Sequence, residues 1–165
     1  MRPGLRKTLE SLADAQVEVI VIGGVAAVLQ GAPMTTFDLD VVHRRTPENV
    51  ARLVGALQSL GATYRFQPRA PEPELLLGPG HHLFSTNLGP LDVLGVVAGG
   101  LAYEDLVTSS RVLAIGTRSV RVLDLPKLIE LKERVGRPKD LAALPLLRAV
   151  LEERGRRERD EPGPR

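Results

Sequence analysis

The chain has 165 residues, of which 43% are hydrophobic and 25% are charged, and its formal net charge is +2. Because cysteine is absent, a disulfide scaffold, a cysteine-ligated zinc site and thiol catalysis are excluded. Aromatic residues make up only 3% of the chain, which disfavours a sheet that stacks nucleobases on its rings. No apolar run approaches the ~18 residues of a membrane span, and the basic N-terminus lacks a signal-peptide pattern. We therefore expect a cytoplasmic protein that does not bind membranes.

The first half of the chain alternates helical and strand patterns. Leucines at helical spacing predict a helix near the N-terminus, and a β-branched run that ends at Gly23-Gly24 predicts a strand buried on both faces. Thr46 and Pro47 have the residue types of an N-cap and a first helical position. The predicted elements are helices at 3–15, 25–30 and 47–60 and strands at 17–22, 37–42 and 62–66.

The second half predicts two hairpins and three helices. Four prolines favour a loop over 67–80, with a short strand at 75–77, and the charged residues 154–165 predict a disordered tail behind a single domain at 1–153. The order of elements predicts an α/β or α+β domain, with a small mixed sheet flanked by helices and with helices at its C-terminal end. The remaining predicted elements are strands at 81–86, 90–94, 112–115 and 119–123 and helices at 103–109, 125–135 and 139–153.

The acidic pair Asp38 and Asp40 is the most informative feature of the predicted second strand. Residues i and i+2 of a strand share a face, with Cα atoms roughly 6.6 Å apart. Two ionised carboxylates at that distance repel by about 2.5 kcal/mol at an effective dielectric constant near 20, and a divalent cation such as Mg²⁺ relieves the repulsion. The alternate residues are expected to face the core: Phe37, Leu39 and Val41.

Gly23 and Gly24 complete this pattern with a candidate phosphate site. A backbone without Cβ atoms approaches a ligand closely, and the helix that follows offers free N–H groups to an anion. The surrounding residues match neither G-x-G-x-x-G nor G-x-x-x-x-G-K-[ST], which disfavours a Rossmann or P-loop site. A phosphate cradle beside paired carboxylates is the layout that holds a nucleoside triphosphate and its metal ions.

These residues resemble a known family. Ile22-Gly23-Gly24 and Thr36-Phe37-Asp38-Leu39-Asp40 are similar to the Gly-Gly and D-x-D motifs of the DNA-polymerase-β-type nucleotidyltransferase superfamily, above all to its small prokaryotic AbiEii-like members, which include toxins of toxin–antitoxin pairs. The resemblance covers most of residues 5–150. It implies the nucleotidyltransferase fold and transfer of a nucleoside monophosphate from ATP or another NTP to a hydroxyl acceptor on RNA, tRNA or protein. It also implies an antitoxin-like partner.

The same resemblance implies the residues of the site. Asp92 matches the third carboxylate of the superfamily. Asp38 and Asp40 would bind two Mg²⁺ ions. Asp92 would bind one metal and would also help to deprotonate the attacking hydroxyl. Lys132 would join as a catalytic residue and Asp140 as a nucleotide-binding residue. The positions implied to contact phosphate are Gly23, Gly24, Thr36 and either Arg137 or Lys139.

Each of these residues also has a structural interpretation. Asp38 and Asp40 fit the polar face of an edge strand, and Asp92 fits a structural hydrogen bond. Lys132 fits a solvated helix, and Asp140 fits an ion pair with Arg137 or Lys139. The alternative function is a catalytically inactive nucleotide-binding or protein-interaction module of the same fold.

The histidines give weaker signals. His43 follows the acidic strand, where an exposed strand end is expected. His81 and His82 are adjacent, so on a strand they face opposite sides and do not share a metal.

Overall fold

The computed structural model of the chain describes residues 1–160. Within them, two short 3₁₀ turns lie at Ala98–Gly100 and Val107–Ser109. The helices are α1 (Pro3–Asp14), α2 (Gly23–Leu29), α3 (Pro47–Ser59), α4 (Pro73–Leu76), α5 (Tyr103–Leu106), α6 (Leu125–Val135) and α7 (Pro138–Asp160). The strands are β1 (Val19–Ile22), β2 (Leu39–His43), β3 (Thr63–Tyr64), β4 (His81–Thr86), β5 (Gly89–Leu94), β6 (Ser110–Ile115) and β7 (Arg118–Leu123).

The strands form one seven-stranded sheet in the order β3-β4-β5-β2-β1-β7-β6. The two predicted hairpins are present as the antiparallel pairs β4–β5 and β6–β7. In the centre, β2 is antiparallel to β1 and parallel to β5, and β1 is parallel to β7. This arrangement confirms the predicted mixed sheet and places the acidic strand β2 in its interior.

Alternation along β2 defines two faces of the sheet. The His43 ring contacts the backbone carbonyl of Leu76 in α4, so His43, and with it Leu39 and Val41, lie on the α4 face. Asp40 therefore lies on the opposite face. The helices fall into the same two groups, because α3 contacts α1 and α4, whereas α6 contacts α2 and α7.

The hydrophobic core covers both faces of the sheet. All four residues of β1 are buried, as the β-branched run predicted. On the α4 face, Leu5, Leu9 and Leu12 of α1 are also buried. In the part of the chain that the structure describes, no helix combines the length and the apolar character needed to cross a membrane.

Two predicted elements differ from the structure. The strand predicted at 75–77 is wrong: Pro73–Leu76 form a helical turn that buries Leu76 and leaves Leu75 and Leu77 exposed. The disorder predicted for 154–165 is wrong for residues 154–160, which continue α7 to Asp160. Their Arg and Glu residues favour helix, and Arg157 pairs with Glu153 one turn away. The rest of that predicted tail, 161–165, lies outside the described residues.

Two side chains also lie where the sequence did not predict them. Phe37 was expected in the core but is 58% exposed. Because β2 begins only at Leu39, the alternation does not extend to Phe37, whose ring lies 4.3 Å from the Arg2 guanidinium. His43 was expected to be exposed but is fully buried, because α4 covers the end of β2.

Candidate active site

Three carboxylates converge on the face of the sheet opposite α4. Oxygen atoms of Asp38, Asp40 and Asp92 all lie within 4.8 Å of one another. Asp40 and Asp92 are register partners on the parallel strands β2 and β5, and Asp38 immediately precedes β2. Because β2 has a neighbour on each side, the edge-strand interpretation of the acidic pair does not hold. The side chains that the sequence predicted as metal ligands are therefore brought together.

Burial and neighbouring charges raise the pKa values of Asp40 and Asp92. Burial, followed by the charges of Asp38 and Asp92, raises the pKa of Asp40 to about 7, and the positive charges of Lys139 and Lys132 act in the opposite direction. Burial also raises the pKa of Asp92, against the hydrogen bond and charge of Arg65. A bound divalent cation would supply the charge that the cluster lacks, so the donor set fits Mg²⁺.

The glycine pair makes room for this cluster. Gly23 adopts φ +64°, which disfavours a side chain, and a Cβ atom there would collide with the carboxylate of Asp40. A Cβ atom on Gly24 would lie 2.7 Å from Thr36 Oγ1. The structure thus gives the glycines a packing role that the sequence interpretation, based on a phosphate cradle, did not include.

Thr36 is buried at the turn that leads into β2. Its hydroxyl donates a 3.2 Å hydrogen bond to the carbonyl oxygen of Asp38. Thr36 packs against Gly24 and hydrogen-bonds to the backbone of Asp38, and it thereby fixes the backbone that carries the Asp38 carboxylate. Its predicted contact with phosphate stays a prediction.

The two C-terminal helices bring positive charge to the same face. Asp140 of α7 is only 3% exposed. Its Oδ1 is 3.1 Å from Lys132 Nζ and its Oδ2 is 2.6 Å from Arg137 Nε. Burial raises the pKa of Asp140, but the hydrogen bonds from Arg137 and Lys132 outweigh it and leave that pKa below its usual value. Asp140 therefore holds two cations in place, in agreement with the ion-pair interpretation for Arg137.

Sequence reasoning missed one residue of the site, Arg65. Its Nη2 donates to Asp92 Oδ1 at 2.6 Å and to the carbonyl oxygen of Phe84 at 3.2 Å. Arg65 lay in a predicted strand, but only the strand order shows that this strand lies two positions from β5. Strand periodicity was the available signal, since Arg65 and Tyr64 must face opposite sides of the sheet.

The chain matches no family model, and no curated protein is significantly similar to it in sequence. It is similar in structure to the Thermotoga maritima protein TM1012, whose assignment as a nucleotidyltransferase is itself provisional, with a TM-score of 0.57 at 19% identity over 90% of this chain and 91% of that one. It is also similar to the antibiotic-resistance factor ANT(2'')-Ia, with a TM-score of 0.62 at 16% identity over 90% of this chain and 82% of that one. Similarity at these identities establishes the fold, and this chain shares the mixed α/β fold of these two proteins.

Proposed function

We propose that this chain is a Mg²⁺-dependent nucleotidyltransferase that transfers a nucleoside monophosphate from an NTP to a hydroxyl acceptor. The observation that carries the proposal is the convergence of Asp38, Asp40 and Asp92 on an interior pair of strands. Lys132 and Lys139 stand close enough to stabilise the ionised form of Asp40. Nucleotidyl transfer requires carboxylates that bind metal ions and, next to them, positively charged side chains that bind phosphates.

Asp38, Asp40 and Asp92 are the residues that would hold two Mg²⁺ ions in this proposal. When bound, the ions would bind the triphosphate and stabilise the negative charge that develops during the displacement. Asp40, half-buried and with a raised pKa, gains most from a bound cation. Hard carboxylate oxygens together with substrate phosphates form the usual environment of Mg²⁺ in proteins.

The remaining residues of the site bind substrate and move a proton. Lys132 and Lys139 would pair with phosphate oxygens, and the N–H groups of Gly23 and Gly24 would donate hydrogen bonds to them. Asp92 would accept the proton of the acceptor hydroxyl. The oxygen of that hydroxyl then forms its bond to the α-phosphorus as the bond to pyrophosphate breaks, and pyrophosphate leaves with the electron pair.

We further propose, from the family resemblance, that the acceptor is an RNA 3′ end, such as that of a tRNA, or a protein hydroxyl. The same resemblance makes the chain a candidate toxin with an antitoxin-like partner. Expression of the wild-type chain is then expected to slow growth. The double variant Asp38→Asn/Asp40→Asn is expected to be harmless because it cannot bind the metal.

Transfer of label from α-³²P-NTPs tests the proposed activity. Wild-type protein, Mg²⁺ and either tRNA or a protein mixture are incubated with each NTP, and labelled acceptor is expected only when Mg²⁺ is present. Asp38→Asn/Asp40→Asn should abolish the label. Asp14→Asn, which alters a carboxylate paired with Arg118 far from the cluster, should not change it.

The other outcomes separate the alternatives. Full activity in the double variant would refute the proposed site. Mg²⁺-dependent NTP binding without transfer to any acceptor would favour the inactive nucleotide-binding module. Failure to bind either NTP or Mg²⁺ would favour the protein-interaction module.

A further inference from the structure

Arg65 reaches the acid cluster from the far side of a neighbouring strand. Its backbone N–H donates to the carbonyl oxygen of Leu83 at 2.8 Å, which extends the pairing of β3 with β4 by one residue. Tyr64 points to the α4 face, where its ring packs against Phe84 at a centroid distance of 4.6 Å. Alternation therefore puts Arg65 on the face of the carboxylates, and its side chain crosses β4 to reach Asp92 on β5.

The guanidinium of Arg65 is held at a defined position. It donates to the backbone of β4 through the Phe84 carbonyl oxygen as well as to Asp92. The two side chains are largely shielded from water, with 28% of Arg65 and 14% of Asp92 exposed. A charge-assisted hydrogen bond of 2.6 Å in such a place is far more directional than a surface ion pair.

Arg65 engages one oxygen of Asp92 and leaves the other without a protein partner. The hydrogen bond goes to Oδ1, and no residue among 1–160 donates a hydrogen bond to Oδ2. A carboxylate held in this way has one oxygen fixed and one oxygen available to a cation. Outer hydrogen bonds of this kind orient metal-ligating carboxylates, and their loss typically lowers metal affinity or activity about 10- to 100-fold.

We propose that Arg65 is a positioning residue for Asp92, which holds Oδ1 so that Oδ2 is available to the divalent cation bound with Asp38 and Asp40. This inference rests on the proposed function, because it assumes that the acid cluster binds a metal. An arginine that instead competed with the metal for Asp92 would give the opposite result on removal, since metal affinity would then increase.

Calorimetric titration with Mn²⁺ as the only added ligand distinguishes a positioning role of Arg65 from competition with the metal. Arg65→Leu is expected to weaken Mn²⁺ binding at least ~10-fold, whereas Arg65→Lys, which keeps the positive charge and a hydrogen-bonding ammonium group, should stay within about threefold of the wild type. Arg69→Leu is the matched control, because Arg69 lies on the same loop and pairs with Glu72 instead. Thermal melting of each variant shows that the fold is retained, and Arg65→Gln replaces Arg65→Leu, with the same expected loss, if the leucine variant does not melt cooperatively.

The results separate this inference from the function on which it rests. Unchanged or tighter Mn²⁺ binding by Arg65→Leu, with normal binding by the wild type, would overturn the role of Arg65 and leave the metal site intact. Absence of Mn²⁺ binding by the wild-type chain would overturn the proposed metal site itself. In a transfer assay the Arg65→Leu variant should lose kcat with little change in the KM for NTP, because Arg65 contacts Asp92 and not the triphosphate.

Discussion

Asp40 and Asp92 are direct neighbours on the parallel strands β2 and β5. Adjacent strands are about 4.8 Å apart, so this register brings two half-buried carboxylates together without any turn or flexible loop. Asp38 adds a third negative charge within the same cluster. The carboxylates therefore repel one another at one point of the sheet, and a bound cation would remove this repulsion.

The contribution of Asp40 to the stability of the metal-free protein should fall as the pH rises from about 4 to about 7. The pKa of Asp40 is raised to about 7, so the folded state binds more protons than the unfolded state in this range, and stability decreases as they dissociate. Asp40→Asn should therefore be more stable than the wild type at pH 8 in EDTA, by about 1–3 kcal/mol, and nearly equal to it at pH 4.

Urea unfolding at both pH values checks this difference. Asp14→Asn is the control. Because the hydrogen bond from Arg118 lowers the pKa of Asp14, loss of the Asp14 carboxylate should not increase the free energy of unfolding at pH 8. Added Mg²⁺ should raise the melting temperature of the wild type more at pH 8 than at pH 6, where protonated Asp40 opposes binding. An Asp40→Asn variant that is no more stable than the wild type at pH 8 would contradict the prediction.

Gly23→Ala should damage both the fold and the metal site. The substitution forces an L side chain into φ +64° and places its Cβ atom against the Asp40 carboxylate, so we expect a loss of ~1–3 kcal/mol in the free energy of unfolding. Gly55→Ala is a matched control, because Gly55 lies in α3 with open space where a Cβ atom would be added and alanine should stabilise that helix by up to ~1 kcal/mol. Similar effects of the two substitutions on unfolding and on Mn²⁺ binding would rule out this role of Gly23.

Lys132→Met should lower kcat for nucleotidyl transfer about 100- to 1,000-fold, as expected when a cation that stabilises developing phosphate charge is removed. Asp140→Asn should have a smaller effect, mainly on the KM for NTP, because it releases Lys132 and Arg137 without deleting them. The double variant should resemble Lys132→Met, since the two residues act through one ion pair. Lys127→Met, on the same helix but paired with Glu130, should leave both constants unchanged, and fully additive losses would contradict the coupling.

His82 should make the protein sensitive to acid. Burial, followed by the charges of His43 and His81, lowers the pKa of His82 to about 4, and within residues 1–160 its Nε2 is the buried side-chain polar atom that lacks a hydrogen-bond partner. The unfolded state then binds more protons than the folded state between about pH 6.5 and pH 4, so stability falls as the pH falls.

Replacement of His82 tests this acid sensitivity. His82→Phe should reduce the loss of unfolding free energy between pH 7 and pH 4.5 by ~2 kcal/mol, since phenylalanine carries no titratable group and fits beside Phe84. His81→Gln, at an exposed position on the same strand, should reduce the pH dependence far less than His82→Phe, because the charge of His81 contributes less than burial to the lowered pKa of His82. Equal pH dependence of His82→Phe and wild type would show that another group causes the loss.

Features governed by residues close in sequence could be predicted well. The side chain of Thr46 accepts a hydrogen bond from the Asn49 N–H at the start of α3, as its residue type indicated, and both hairpins form around their glycine turns. The prediction at Leu75–Leu77 was wrong because an apolar run of three leucines fits a strand and a helical turn equally well. Which of the two forms depends on burial against β2, a contact that local sequence does not encode.

The sequence by itself supplied the residue types of the candidate site: the D-x-D pattern and the Gly-Gly turn through their spacing, and Asp92 through the family resemblance. Only the tertiary structure decided that Asp92 lies next to Asp40, that Arg65 reaches Asp92 across β4, and that Asp140 forms ion pairs with Lys132 and Arg137. The physical reason is that strand order, register and burial arise from contacts between distant segments. Those contacts bring like charges together, pair carboxylates with arginine and lysine side chains, and shift the pKa values of Asp40, Asp92 and Asp140.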